Sequence, residues 1–159
     1  MNGQAVAEWN KKAEDNYRSA IALARRRSSP VPDVVCNQCQ QCIEKYLKAL
    51  LVFHQIHFPK IHDLIQLEEL TATADLEIRI IHADLAILNP YGIYIRYPGL
   101  TATVAEAKIA IQAMKRARKF LRTKTVGLVD FRYNIMMFPE QVGPRRNYNR
   151  PAIAFGVLR

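Results

Sequence analysis

Apolar residues recur at steps of three and four along most of this chain, the spacing that lines one face of an α-helix. Across residues 5–27, Trp9, Ala13, Tyr17, Ala20, Ile21 and Ala24 form such a row and predict a first amphipathic helix. Arg25, Arg26 and Arg27 suit the negative end of its dipole, and Pro30 and Pro32 prevent it from continuing. Asp33 is the predicted N-cap of a second helix. Its apolar positions, Cys39, Cys42, Ile43, Tyr46, Leu47, Leu50 and Phe53, fall in one broad stripe at about 100° per residue. Gln41, Lys45 and Lys48 stand at steps of four and three on the side roughly opposite, with Glu44 alongside. After a segment containing Pro59, a shorter helix is predicted to begin near Ile61 and His62 and to run through Leu70, with Asp63 favouring its N-terminal dipole. Residues 71–75 break the pattern. Leu76, Ile80, Ile81, Leu85 and Leu88 then mark another helix that ends at Asn89-Pro90. Thr103 and Glu106 make a capping box for a last helix to about Thr123, with Ala107, Ala110, Met114, Ala117 and Leu121 as its buried row.

Residues 91–99 mix β-branched and aromatic side chains between Pro and Gly, and read as an ordered loop because no partner strand is apparent. From Thr125 onward Gly127, Pro139, Gly143, Pro144 and Pro151 interrupt the sequence. The pattern predicts an all-α bundle of four to five helices over residues 1–125, followed by an extended basic tail over 126–159. No repeat is visible.

Composition narrows the partners. The 159 residues carry 23 Lys and Arg against 14 Asp and Glu, a formal charge of +9. That excess points to an anionic partner such as nucleic acid, nucleotide phosphates or an acidic protein. Neither a run of about 18 uncharged apolar residues nor an N-terminal signal-like stretch occurs, so a soluble, cytoplasmic protein with no membrane partner is expected. The three cysteines, Cys36, Cys39 and Cys42, lie too close together for a secreted disulfide framework, which fits a reducing compartment.

The Cys-x-x-Cys-x-x-Cys spacing resembles metal ligation at first sight. On a helix, however, the sulfurs spread over about 9 Å of axis and no second cluster completes a site. They read better as small core positions, and no metal or cofactor is expected. His54 and His57 lack the carboxylate of a zinc motif and read as loop residues, whereas His62 beside Asp63 can orient against a neighbour. No glycine-rich phosphate loop or nucleophile elbow is present. Cationic positions remain as candidates for phosphate contact: Lys45 and Lys48 on the second helix, and a row of Lys108, Lys115, Arg118, Lys119 and Arg122 on the last. Arg96, flanked by Tyr94 and Tyr97, adds a guanidinium that forks onto phosphate beside rings that stack on bases.

The stretch Gln41-Cys42-Ile43-Glu44-Lys45-Tyr46-Leu47-Lys48, followed in order by His62-Asp63-Leu64 and Arg96-Tyr97-Pro98, resembles the HEPN domain family. Trp9 to Ala20 is similar to that family's first helix, and the resemblance covers about residues 5–123. It implies an up-and-down bundle of about five helices, usually dimeric and often encoded beside a minimal nucleotidyltransferase. Many members are metal-independent ribonucleases of toxin-antitoxin or defence systems, whose Arg is followed four to six residues later by a His. This sequence departs from that pattern: no histidine follows Arg96, and Arg79 precedes His82 by only three positions. The resemblance therefore implies a homodimeric, non-catalytic module that binds a nucleotide, RNA or a nucleotidyltransferase partner through Lys45, Lys48, His62, Arg96 and Tyr97. The alternative is a metal-independent endoribonuclease with a non-standard site, such as His62 with Arg96.

Overall fold

The computed structural model describes residues 2–93 and 99–137, with side chains over 3–93 and 99–125. Five α-helices follow one another in these residues: α1 (Asn2–Ala24), α2 (Pro32–Phe53), α3 (Leu64–Ala72), α4 (His82–Leu88) and α5 (Val104–Met137). Two short 3-10 turns, Leu76–Ile81 and Asn89–Gly92, flank α4. Among the described residues there is no strand, and no helix is long and apolar enough to cross a membrane. The all-α bundle read from the hydrophobic spacing is the observed fold.

The second helix is its axis. Helices α1, α3 and α5 all pack against α2, and its buried residues include Cys36, Cys39, Cys42, Ile43, Tyr46, Leu47, Leu50 and Leu51. The cysteines are free thiols in the core. Burial pushes Cys36 and Cys42 up to about 12, and Cys39 is also raised by desolvation. They act as small apolar side chains, the role expected of them. Ala13 and Ala20 of α1 and Ala107, Ala110, Ala113, Met114, Ala117 and Leu121 of α5 close on the same core. Small residues on both flanking helices let them approach α2 closely.

Several helix ends differ from the sequence reading. Val31 is the N-cap of α2 and Pro32 opens the helix. The Asp33 side chain instead accepts a hydrogen bond from the backbone N–H of Ala102, tying the start of α2 to the segment before α5. Pro32 suits the first helical position because the N–H it lacks would have no intrahelical partner there. Helix α3 starts at Leu64, later than predicted, since Asp63 is its N-cap and accepts from the N–H groups of Ile65 (2.9 Å) and Gln66 (3.0 Å). The Leu76–Leu88 stretch is split, its first part winding as a 3-10 turn capped by Asp75.

Thr103 and Glu106 make the reciprocal capping contacts predicted for α5: the Thr103 N–H donates to Glu106 and the Glu106 N–H to the Thr103 hydroxyl. The helix runs to Met137, well past Thr123, so residues 126–137 of the segment read as an extended tail continue α5. A single Gly127 costs a helix about 1 kcal/mol, too little to end it, and the next proline comes only at 139. Residues 138–159 of that tail lie outside the described residues.

Candidate functional site

A buried polar cluster among the described residues follows from spacing on α2. Gln40, Glu44 and Lys48 lie four residues apart, so their side chains form one column along the helix. Glu44 is 3% exposed and Lys48 6%. The Glu44 carboxylate gathers the group. Oε1 accepts from Lys48 Nζ at 2.7 Å and meets His62 Nδ1 at 3.0 Å. Oε2 accepts from Gln40 Nε2 at 3.0 Å and Gln41 Nε2 at 3.2 Å. Burial alone would push the Glu44 carboxyl up, but the donors from Lys48, Gln40 and His62 outweigh it and hold the group below its ordinary value. The glutamate is a fixed anion.

His62 enters this cluster from the segment just before α3. Asp63 is locked as that helix's cap, and the adjacent His62 carbonyl accepts from Gln40 Nε2 at 3.0 Å. With Nδ1 donating to Glu44, the neutral ring has Nε2 as its acceptor, and the side chain is 48% exposed. A carboxylate that fixes the tautomer and orientation of a half-exposed imidazole is an arrangement suited to moving a proton, and the ring binds an anion through Nε2 only when that nitrogen carries a proton.

Gly92 closes the cluster from the other side. A Cβ there would meet Gln40 Nε2 at 2.8 Å and its Cδ at 3.0 Å, with the His62 carbonyl at 3.4 Å. Gln40 cannot retreat without losing its bonds to Glu44 and His62, so glycine is what the close approach requires.

The sequence-predicted residues are distributed unevenly. Lys48 and His62 come together on one oxygen of Glu44. Lys48 does not lie on an exposed basic face: α1 covers that side of α2, and the ammonium stands 5.8 Å from the centroid of the Trp9 ring. An amphipathic stripe seen in one helix identifies the best apolar face, whereas a helix surrounded on several sides buries its polar positions too. Lys45 is half-buried and donates to Asn16 of α1; desolvation, reinforced by nearby Lys12, lowers its pKa. Arg96 and Tyr97, with Tyr94, lie outside the described residues.

The basic row on α5 is also broken. Arg118 turns inward and forks onto Glu14, with its guanidinium 3.8 Å from the centroid of Tyr17, while Lys108, Lys115, Lys119 and Arg122 remain exposed. Gln40 and Glu68, both fully buried, are polar residues the sequence reading did not single out. The four-residue column Gln40-Glu44-Lys48 was the available signal for the first; Glu68 had none. Among the described residues no group of three or more His, Cys, Asp or Glu is placed to hold a metal.

The model of the HEPN domain family matches residues 6–126. Among solved structures, the crystal structure of an archaeal HEPN homologue aligns with a TM-score of 0.57 at 23% identity, covering 76% of this chain and 97% of that one. At that identity the likeness shows the fold. No curated protein matches the chain.

Proposed function

Since the chain belongs to the HEPN domain family, we propose that it is a binding module for a phosphate-bearing ligand, a nucleotide or RNA. The reading places it in a toxin-antitoxin or defence-type system as a homodimer beside a minimal nucleotidyltransferase subunit. The observation that carries the reading is the Glu44–His62 pair: a buried carboxylate holds Nδ1 at 3.0 Å and leaves a half-exposed imidazole facing outward. Lys45 lies one helical position from Glu44, and Gly92, packed on the same Gln40, is four residues from Arg96. Lys48 acts here through Glu44 as a positioning residue, because its ammonium is buried against that carboxylate.

The net charge of +9 supports an anionic ligand. The family's Arg-to-His ribonuclease spacing is absent from this sequence, which supports binding over cleavage. A second reading, metal-independent RNA cleavage, is favoured by one feature: a histidine oriented through Nδ1 by a carboxylate is the usual arrangement of an acid-base imidazole.

One titration tests both readings. The full chain is mixed with ATP and with a short RNA at low and moderate salt, and the RNA is recovered to measure its length. Salt-sensitive binding of intact RNA or ATP that weakens in His62→Ala and in Lys45→Ala supports the binding module. RNA shortened by the wild type and left intact by His62→Ala establishes the second reading. Unaltered binding in both variants and in Arg96→Ala overturns the site.

A further inference from the structure

A second buried glutamate repeats the first arrangement elsewhere in the bundle. Glu68 of α3 is fully buried, and its Oε2 meets His82 Nδ1 at 2.7 Å. Its other oxygen, Oε1, lies 3.2 Å from Arg79 Nη1 as an ion pair, yet no hydrogen bond is aligned on it. The local backbone explains the convergence. Arg79 lies in the Leu76–Ile81 turn and His82 follows it directly; side chains three apart on a 3-10 turn stand in one column, so both reach the same carboxylate.

The partners of Glu68 are open to solvent, with Arg79 48% and His82 52% exposed. Of the nearby acids, Asp75 and Glu77 pair with Lys124 of α5 and Asp84 with Arg116, while Glu69, next to Glu68 on α3, is exposed. Glu68 is thus the carboxylate that faces Arg79 and His82, and it holds them from beneath.

We propose that Arg79 and His82, seated on Glu68, form an anion site that takes a phosphoryl group. A buried carboxylate is costly to desolvate, and an apolar side chain would serve packing at least as well. What the carboxylate adds is placement of two outward cationic or polar heads. The guanidinium has five N–H donors in a planar fork, and the lack of an aligned bond to Glu68 leaves them for a ligand. His82, held through Nδ1 by Glu68, sets its Nε2 beside that fork, where it donates when both ring nitrogens carry a proton. Donors on two separate heads suit a tetrahedral oxyanion with several acceptor oxygens better than a carboxylate with two. The site uses none of the residues around Glu44 and stands independently of the function proposed above.

The test is a titration of the full-length, isotope-labelled protein with inorganic phosphate at constant ionic strength, following the His82 ring resonances by NMR. Acetate is the control anion, and His82→Gln and His62→Gln assign the signals. The expected result is a saturable shift of His82 in the millimolar range, weaker with acetate. Arg79→Gln, an exposed substitution whose fold is checked by its melting curve, is expected to weaken phosphate at least tenfold. A shift that does not saturate, that acetate reproduces, or that survives Arg79→Gln overturns the site. Adenosine monophosphate and a trinucleotide without terminal phosphates, run beside phosphate, show whether a terminal monoester or an internal diester is the tighter ligand; failure of both to bind at least as well as phosphate overturns a role in holding nucleotide phosphoryl groups.

Discussion

Arg118 reaches across the bundle to Glu14, Nε to Oε1 at 2.8 Å and Nη2 to Oε2 at 2.7 Å, and so fastens the last helix to the first. The same carboxylate accepts from the Tyr46 hydroxyl of α2, so three helices meet on one glutamate. Because the fork is bidentate and stacked on Tyr17, lysine is a poor substitute. Arg118→Lys is expected to cost roughly 1–2 kcal/mol in urea unfolding, and Tyr46→Phe in that background is expected to add less than it does alone.

The acid side of the stability profile follows from the same groups. Burial would raise Glu14, but hydrogen bonds from Arg118 and Tyr46 and the charge of Arg118 lower it below its ordinary 4.5, and Glu44 is lowered against desolvation by its own donors. A carboxyl depressed in the folded state leaves the unfolded chain binding more protons at intermediate pH, so stability rises with pH there. The contribution is complete above 4.5 and is lost as pH falls through the folded values. Unfolding free energy measured from pH 7 to pH 3 is expected to drop below 4.5, with a shallower slope in Glu14→Gln.

The buried pair on α2 is asymmetric. Glu44 has Gln40, Gln41 and His62 besides Lys48, whereas the Lys48 ammonium has Glu44 and the face of Trp9. Glu44→Gln leaves a buried cation uncompensated and is expected to cost about 3–5 kcal/mol. Lys48→Met removes that cation and is expected to cost less. Adding Lys48→Met to Glu44→Gln should restore stability relative to Glu44→Gln alone, as read by denaturant midpoints.

Gly92→Ala drives a methyl group into the Gln40 amide. The expected cost is about 1–3 kcal/mol. Shortening Gln40 to alanine removes the obstacle, so the double variant should lose less than the sum of the two single ones, a difference that a double-mutant cycle measures directly.

The three core thiols give a simple probe of native packing. With Cys36 and Cys42 raised to about 12 and Cys39 raised as well, thiolate is scarce near neutral pH and the sulfurs are covered. A thiol-specific chromophoric reagent is expected to react slowly with folded protein and to titrate three groups once urea unfolds it.

Much of the bundle was legible because single helices carry their own signals. Cys39 through Leu50 mark the core face of α2, and Thr103 with Glu106 marks the start of α5 by local chemistry alone. Of the candidate site, His62 and Lys48 were legible as residues, while the carboxylate that joins them was noted only as a neighbour on the helix. Long-range pairings left no such trace. Asp33 looks like a cap until Ala102 arrives from 69 positions away. Arg118 looks like part of a solvated row until Glu14 faces it. The pair Arg79 and His82 acquires meaning through Glu68, which lies on a different helix from His82 and shares no spacing rule with it. Gly127 and the later prolines and glycines together suggest a tail from Thr125, yet Gly127 alone costs α5 too little to end it before Met137.

The central placement of α2 also sets how the domain opens. Fluctuations that release the end of α1, or α3 and α4, expose their own amides while α2 keeps its other neighbours. Its backbone protons can exchange with solvent only when the flanking helices come away together. Amide exchange along α2 is therefore expected to report the free energy of unfolding the whole domain, with the slowest protons among the described residues between Cys39 and Leu51.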